Sequence, residues 1–483
     1  MKTRLVNLKT ISSEETLRTD FVYHNFFSNK ENKDNTVPFE ELFEICAKKY
    51  DYNRIDGTFK YCQIGDVDKS GEAHPVYLNF EERSLLDESY YKKIEKGDII
   101  KVKENDILIS FLLPQDVNVL GKIFRITNDI TDVFFTNAFI CLTPKKMPEI
   151  LCYLLRGVFY NNLVAVSRIR KGYTGYATLD ETDLKKLKFN NTIIKSLLKN
   201  YSVIKDRILT VERDIRNASI HLETTSDIIE RVFDNEFGFD YNEFNSLRLI
   251  KKYSSNQLAF SNNPDLRFSA KFHRNAGGFV MKQLTDITDK KIKNYLAEPI
   301  VLGASISPGD YSEDGEYQYI SMATIKNWIF DSESANYVSK EYSDSKAAKT
   351  VRKNDIILAR SGEGTIGKVA LIDDDNVNGV FADFTMRIRL KDYNPEFAYY
   401  YFRTSYFQYL IEIYKKGLGN NTNIFPIVVQ EFPLIDISLD EQQRIVDEIH
   451  AEIAKQEEIK SKIAELRNQI DSIIEEAIAK GDE

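Results

Sequence analysis

At 483 residues, with 42% hydrophobic and 29% charged residues, the chain has an ordinary globular composition. At roughly 100–200 residues per domain, that length suggests about three units. No apolar run approaches the ~18 residues of a membrane helix, and the start Met1-Lys-Thr-Arg-Leu has no apolar signal core. Cys46, Cys62, Cys141 and Cys152 form neither a CxxC pair nor a disulfide framework. Fibrous, disordered and disulfide-stapled classes are excluded, and a cytoplasmic protein with no membrane partner is expected.

The net charge of −9 is unevenly spread. Residues 145–216 hold 15 basic and 7 acidic side chains, whereas residues 436–483 hold 6 basic and 14 acidic. A polyanion that follows the local field can therefore still be a partner, and Lys145 and Lys146 open the basic stretch. Solvated faces would produce the same counts.

In chain order, a polar lead-in gives way to Asp106-Ile-Leu-Ile-Ser-Phe111, which reads as a buried strand entered from an Asn-Asp turn, with Gly121-Lys-Ile-Phe-Arg-Ile126 as its return. Pro148 opens an aromatic-rich helix to about residue 162, where a missing N–H costs nothing. The loop Ser167-Arg-Ile-Arg-Lys-Gly-Tyr-Thr-Gly-Tyr176 follows. A long helix is then expected from about 192 to 233, with Ile194, Leu197, Ile204, Ile208, Val211, Ile215, Ile229 and Val232 on one stripe. Turn formers from Gly238 to about Gly278 read as a link.

The same series then recurs. Asp355-Ile-Ile-Leu-Ala-Arg360 and Gly367-Lys-Val-Ala-Leu-Ile372 match the first strand pair, Pro395 opens the second aromatic helix, and Tyr414-Lys-Lys-Gly-Leu-Gly-Asn-Asn-Thr-Asn423 is the second loop. Phe135-Thr-Asn-Ala-Phe139 has a looser counterpart in Phe381-Ala-Asp-Phe-Thr385, and Leu17-Arg18 with Tyr23-His24 recurs as Leu266-Arg267 with Phe272-His273. The offsets stay between 246 and 249 for these matches, so the chain is two copies of one unit of about 245 residues. Ser438-Leu-Asp-Glu441 is a capping box. It opens a helix of about 40 residues whose stripe includes Val446, Ile449, Ile453, Ile463, Leu466, Ile470 and Ile473. Two such stripes are most simply buried against each other.

Ser361-Gly-Glu-Gly-Thr-Ile-Gly-Lys368 fits Gly-x4-Gly-Lys, but Val369 stands where a phosphate loop needs Ser or Thr, and a strand follows where it needs a helix. The segment reads as a tight glycine-rich hairpin that approaches a ligand, with a purely structural turn left open. The five histidines show no metal-ligand spacing, no nucleophile elbow occurs, and no catalytic residue, metal site or cofactor is expected. The two loops join cations, glycines and hydrogen-bonding side chains at the same place in each copy. Arg and Lys neutralise phosphate, Arg grips guanine and Asn pairs with adenine. Candidate nucleic-acid contacts are Lys145, Lys146, Arg168, Arg170, Lys171, Tyr173 and Tyr176 in the first copy. In the second they are Arg360, Ser361, Thr365, Lys368, Lys415, Lys416, Asn420, Asn421 and Asn423.

On its two-copy layout, the Asn-Asp-Ile-(Leu/Ile) strands with Gly-Lys returns, and the closing Leu439-Asp-Glu-Gln-Gln-Arg-Ile-Val446 helix, the chain resembles the DNA-sequence specificity subunits of type I restriction–modification enzymes. The resemblance spans essentially the whole chain. It implies an α+β fold with a pseudo-two-fold internal repeat: two similar target-recognition domains (1–190 and 281–437) separated by two long antiparallel coiled-coil helices (191–235 and 438–480), with 236–280 as linker. It further implies a non-catalytic chain that recognises a bipartite, interrupted target in double-stranded DNA. Such a chain docks DNA methyltransferase (modification) subunits, two of them, and restriction/translocase subunits. Ile449, Ile453, Ile463 and Leu466 are the docking candidates. The lead-in segments, about 1–55 and 242–280, depart from the family pattern and leave a type IIB-like system open. A coiled-coil scaffold without DNA binding is the other reading.

Overall fold

The fold is given by a computed structural model that describes residues 35–46, 49–68, 71–81, 88–97, 99–114, 122–169, 176–250, 254, 271–362, 364–417 and 422–479. It divides into two units, Met1–His221 with Lys460–Glu483, and Leu222–Ile459. Both mix helices with sheets, an α+β composition.

The first unit is centred on a four-stranded antiparallel sheet in the order Phe43–Ile45, Phe139–Pro144, Ile107–Ser110, Ile123–Arg125. Every residue of Ile107–Ser110 is buried, which is why that strand reads as a continuous apolar run. Asn105, at φ 70°, makes the left-handed turn into it, a conformation asparagine tolerates. A second sheet runs Val76–Asn79, Thr58–Cys62, Val133–Phe135, Ile100–Lys101, with its two middle strands parallel. The helices Pro148–Arg156 and Tyr160–Val166 complete the core.

The second unit repeats this plan. Its antiparallel sheet runs Val301–Leu302, Thr385–Ile388, Ile356–Ala359, Val369–Leu371, and Asn354, at φ 72°, makes the same turn. Its other sheet runs Asn336–Val338, Tyr317–Ile320, Gly379–Phe381, and again the last two strands are parallel. Pro395–Arg403 and Ser405–Tyr414 are the paired helices.

The expected first long helix is broken into Asn191–Lys199, Tyr201–Ser219 and Thr225–Phe237. The last begins on its own capping box: Thr224 Oγ1 accepts from the Asp227 N–H at 3.1 Å, and Asp227 Oδ2 accepts from the Thr224 N–H at 3.2 Å. Leu439–Ala479 is a single helix of 41 residues, opened by the Ser438–Glu441 capping box. Within the second unit it runs antiparallel to Thr225–Phe237, through Arg231–Glu452 (2.9 Å) and Arg444–Glu236 (3.0 Å). Within the first it runs antiparallel to Tyr201–Ser219. There Leu466, Ile470 and Ile473 share a core with Ile204, Ile208 and Val211, and Arg207 pairs with Glu476 at 2.9 Å.

The stretch 236–280, expected as linker, contributes the helix Tyr241–Leu249 and the start of Asn275–Ile287 to the second core. Phe239, Tyr241 and Phe244 pack on the Tyr406 ring at 4.4, 5.1 and 5.2 Å. That aromatic cluster outweighs the local turn propensity.

Candidate nucleic-acid interface

Each unit builds one edge from three segments, with the same backbone bonds. In the first unit the Phe111 N–H donates to the Ala138 carbonyl (3.1 Å), and the Leu179 N–H donates to the Phe111 carbonyl (2.8 Å). In the second unit Arg360 takes the place of Phe111: its N–H donates to Phe384 O (2.9 Å), and its carbonyl accepts from Ile424 N–H (2.9 Å). The end of the central strand, the turn before the last strand and the segment after the second helix therefore meet in both. In the first unit that third segment joins a small sheet, Arg168–Ile169, Tyr176–Thr178, Leu112–Pro114. In the second, Lys416 and Asn423 exchange two backbone bonds (2.8 and 2.7 Å), and Asn423 bridges to Ser361. The two candidate loops of the second copy are thus one site.

Arg360 is the centre of that site. Its Nε donates to the Asp383 carbonyl at 2.8 Å and a terminal nitrogen donates to Asn423 Oδ1 at 3.1 Å. The Phe384 and Phe425 rings each lie 5.9 Å from the guanidinium carbon and are 48% and 40% exposed. An arginine oriented by two acceptors and flanked by exposed rings is suited to stacking and to bidentate donation. Lys416 is exposed beside it. The sequence reading missed Phe384 and Phe425, because they lie on separate segments and carry no motif.

Among the described residues, the other expected contacts are engaged within the chain or lie away from this site. Ser361 is buried, with its hydroxyl on the Thr422 carbonyl (3.2 Å), and Thr365 turns its hydroxyl onto the Ser361 carbonyl (2.7 Å), so both hold the loop together. Lys368 leads into the strand Val369–Leu371, which pairs antiparallel with Ile356–Ala359, so the segment is the glycine-rich hairpin that the sequence suggests. Gly367, at φ +89°, makes that hairpin possible: a Cβ there would meet Gln408 Oε1 at 2.7 Å. Lys415 is committed to Glu412 at 2.6 Å, with its side chain 8% exposed. Burial works to raise the Glu412 carboxyl, but hydrogen bonds from Lys271 and Lys415 outweigh it and hold it below the usual range. Lys145 donates to the Glu40 carbonyl (2.6 Å). With Lys146 it follows the strand Phe139–Pro144, whose other end, Phe139, pairs with Ser110 beside the loops; the two lysines are at the far end. The backbones of Arg168 and Tyr176 lie in the edge sheet, while Arg170, Lys171, Tyr173, Asn420 and Asn421, like His24, lie outside the described residues.

The docking candidates also face inward. Ile449, Ile463 and Leu466 are buried, and Ile453 packs against the second core. The apolar stripe serves the chain's own packing.

The first unit also holds a cavity of about 740 Å3 lined by Gly71, Tyr153, Arg156, Glu212, Arg467 and Asp471, among others. In the second unit Arg403, the repeat counterpart of Arg156, lies 5.7 Å from the Trp328 ring. Gly71 (φ 84°) and Trp328 (φ 69°) each take the left-handed conformation in a turn between antiparallel partners, Val67 with Ala73 and Ile325 with Phe330.

Residues 277–468 match the family model described as the type I restriction modification DNA specificity domain. No curated protein matches the sequence. Among solved structures, the HsdS subunit from Thermoanaerobacter tengcongensis is 14% identical, covers 92% of this chain and 96% of its own, and gives a TM-score of 0.35. The type I restriction-modification S subunit from M. genitalium is 12% identical, with coverage of 93% and 97% and a TM-score of 0.38. A chain from the structure described as the basis of complex assembly and conformational transition of the type I R-M system is 13% identical, with coverage of 92% and 97% and a TM-score of 0.40.

Proposed function

We propose, on the premise that residues 277–468 carry a type I restriction modification DNA specificity domain, that the whole chain is the specificity subunit of such a complex. The observation that carries this reading is the edge built twice on one backbone plan with different side chains, Phe111 in one unit and Arg360 in the other. Two edges with one scaffold and different chemistry suit two different half-sites.

Each unit reads one half of an interrupted duplex. In the second unit Lys416 neutralises phosphate, which sets affinity without sequence information. Arg360, held by Asn423 and the Asp383 carbonyl, presents its remaining donors to a base edge, and the Phe384 and Phe425 rings give apolar contact. The antiparallel helices set the spacing between half-sites, at about 1.5 Å per helical residue. The chain contributes recognition, and chemistry belongs to the methyltransferase subunits, two of them, and the restriction subunits that it docks.

Footprinting on a duplex carrying the target, with the chain assembled with its methyltransferase subunits, tests the reading. Two protected blocks separated by a weakly contacted spacer are expected. One continuous block, or protection independent of sequence, contradicts it.

A further inference from the structure

In the first unit, Cys46, Asp106 and Cys141 bring two sulfurs and a carboxylate oxygen to within 4.8 Å of one another. Cys141 is 3% exposed and Asp106 1%, and Cys46 is half-buried. Three neighbouring strands supply them. Cys46 directly follows Phe43–Ile45 and donates its N–H to the Cys141 carbonyl at 2.8 Å. Cys141 pairs in register with Leu108, two residues after Asp106. The Asp106 carboxylate is already oriented: Oδ2 accepts from the Lys103 N–H at 2.8 Å and Oδ1 from the Thr143 hydroxyl at 2.7 Å. Each oxygen keeps a further lone pair.

The second unit shows what the same place holds there. Asp355 takes the position of Asp106 and accepts from the Arg352 N–H at 2.8 Å. By strand register, Arg389 stands where the first unit has Thr143, and Arg387 where it has Cys141. The Arg389 guanidinium binds both Asp355 oxygens at 2.6 Å. One copy thus presents a cation to its buried aspartate. The other presents two thiols, and among the described residues no lysine or arginine pairs with Asp106.

We propose that Cys46, Asp106 and Cys141 bind a thiophilic divalent cation of the Zn2+ type, which ties the strand Phe43–Ile45 to the centre of the first sheet. Both thiols give up their protons to solvent as two metal–sulfur bonds and one metal–oxygen bond form. Water supplies the fourth ligand, entering on the half-buried Cys46 side. The ion, two thiolates and a carboxylate carry one net negative charge, as the carboxylate and two thiols do before. Ligand atoms about 2.3 Å from a tetrahedral ion stand about 3.8 Å apart, so the three donors need to close in by roughly an ångström at most. Thr143, which holds the carboxylate, is a positioning residue for the ion.

Cobalt titration of the reduced, chelator-treated full chain tests this. The expected result is one Co2+ per chain, with a near-ultraviolet sulfur-to-cobalt charge-transfer band that Zn2+ displaces. The band persists in Cys62→Ala and Cys152→Ala and is lost in Cys46→Ala and Cys141→Ala. Thr143→Val keeps the band but weakens Co2+ binding on the order of 10–100-fold. Cys46→Ala is the decisive variant, because its half-exposed site is least costly to fold, with circular dichroism as the check. A wild-type chain without the band, or a band that survives Cys46→Ala, overturns the proposal.

Discussion

Asp106 and Asp355 hold the same place in the two halves: each carboxylate accepts the backbone N–H three residues before it, from Lys103 and from Arg352, at 2.8 Å in both. What meets the rest of the carboxylate differs, a hydroxyl from Thr143 in one and the Arg389 guanidinium in the other. Arg389 also binds Glu298 at 2.6 Å, as does Arg387. Arg389→Met leaves a fully buried Asp355 without its cation, which should destabilise the second unit by about 3–5 kcal/mol. Thr143→Val should cost the first unit only about 1–2 kcal/mol. Trp328 is the sole tryptophan, so its emission during urea unfolding reports the second unit specifically. An Arg389→Met transition at the wild-type midpoint contradicts the assignment.

Arg360 and Lys416 should fail differently. Arg360→Ala removes an oriented donor, so it should relax one base position and cost about 1–3 kcal/mol on the specific duplex only. Lys416→Ala removes the proposed phosphate contact, so it should weaken all sequences alike and lower the salt slope by about 1. Fluorescence anisotropy at several salt concentrations separates the two.

The Glu412 carboxyl sits below its usual range, because Lys271 and Lys415 outweigh burial. Its contribution to stability is therefore complete above the ordinary carboxylate pKa and is lost as pH falls through the lower, folded value. Thermal unfolding followed from roughly pH 7 to pH 3 should show wild type losing stability faster than Glu412→Gln through the acid range. Parallel curves for the two proteins contradict this.

Gly367→Ala should destabilise the second unit by about 1–2 kcal/mol, since an L side chain at φ +89° is strained and its Cβ meets Gln408. Gly364→Ala meets nothing within 4 Å and should be near neutral. Thermal unfolding of the two variants side by side checks the difference.

What the sequence disclosed follows from physics that acts locally. The strands Ile107–Ser110 and Ile356–Ala359 are buried throughout, so they stand out as apolar runs behind polar turns. Leu439–Ala479 announces itself with a capping box and an unbroken stripe. The break before Thr225 was hidden because Ile215, Ile220 and Leu222 continue the apolar spacing, although Thr224 and Asp227 carry the signal for a new start. The helix Tyr241–Leu249 was hidden by its asparagines and serine, because the Tyr406 ring that holds it lies far along the chain. Lys415 could have been set aside from sequence alone, since Glu412 stands three residues before it, in the last turn of the helix that Lys415 caps. Phe384, Phe425 and the Cys46, Asp106, Cys141 cluster come from distant segments, where no spacing rule applies.

On the proposed function, two similar readers on one chain each specify half of a target. Long-read mapping of methylated adenines, in cells carrying the chain and its methyltransferase subunits, tests it most directly when wild type is compared with Arg360→Ala. A bipartite motif with a fixed gap is expected, in which the variant degrades one half and leaves the other half and the gap unchanged. A continuous motif, or a variant that alters both halves together, contradicts it.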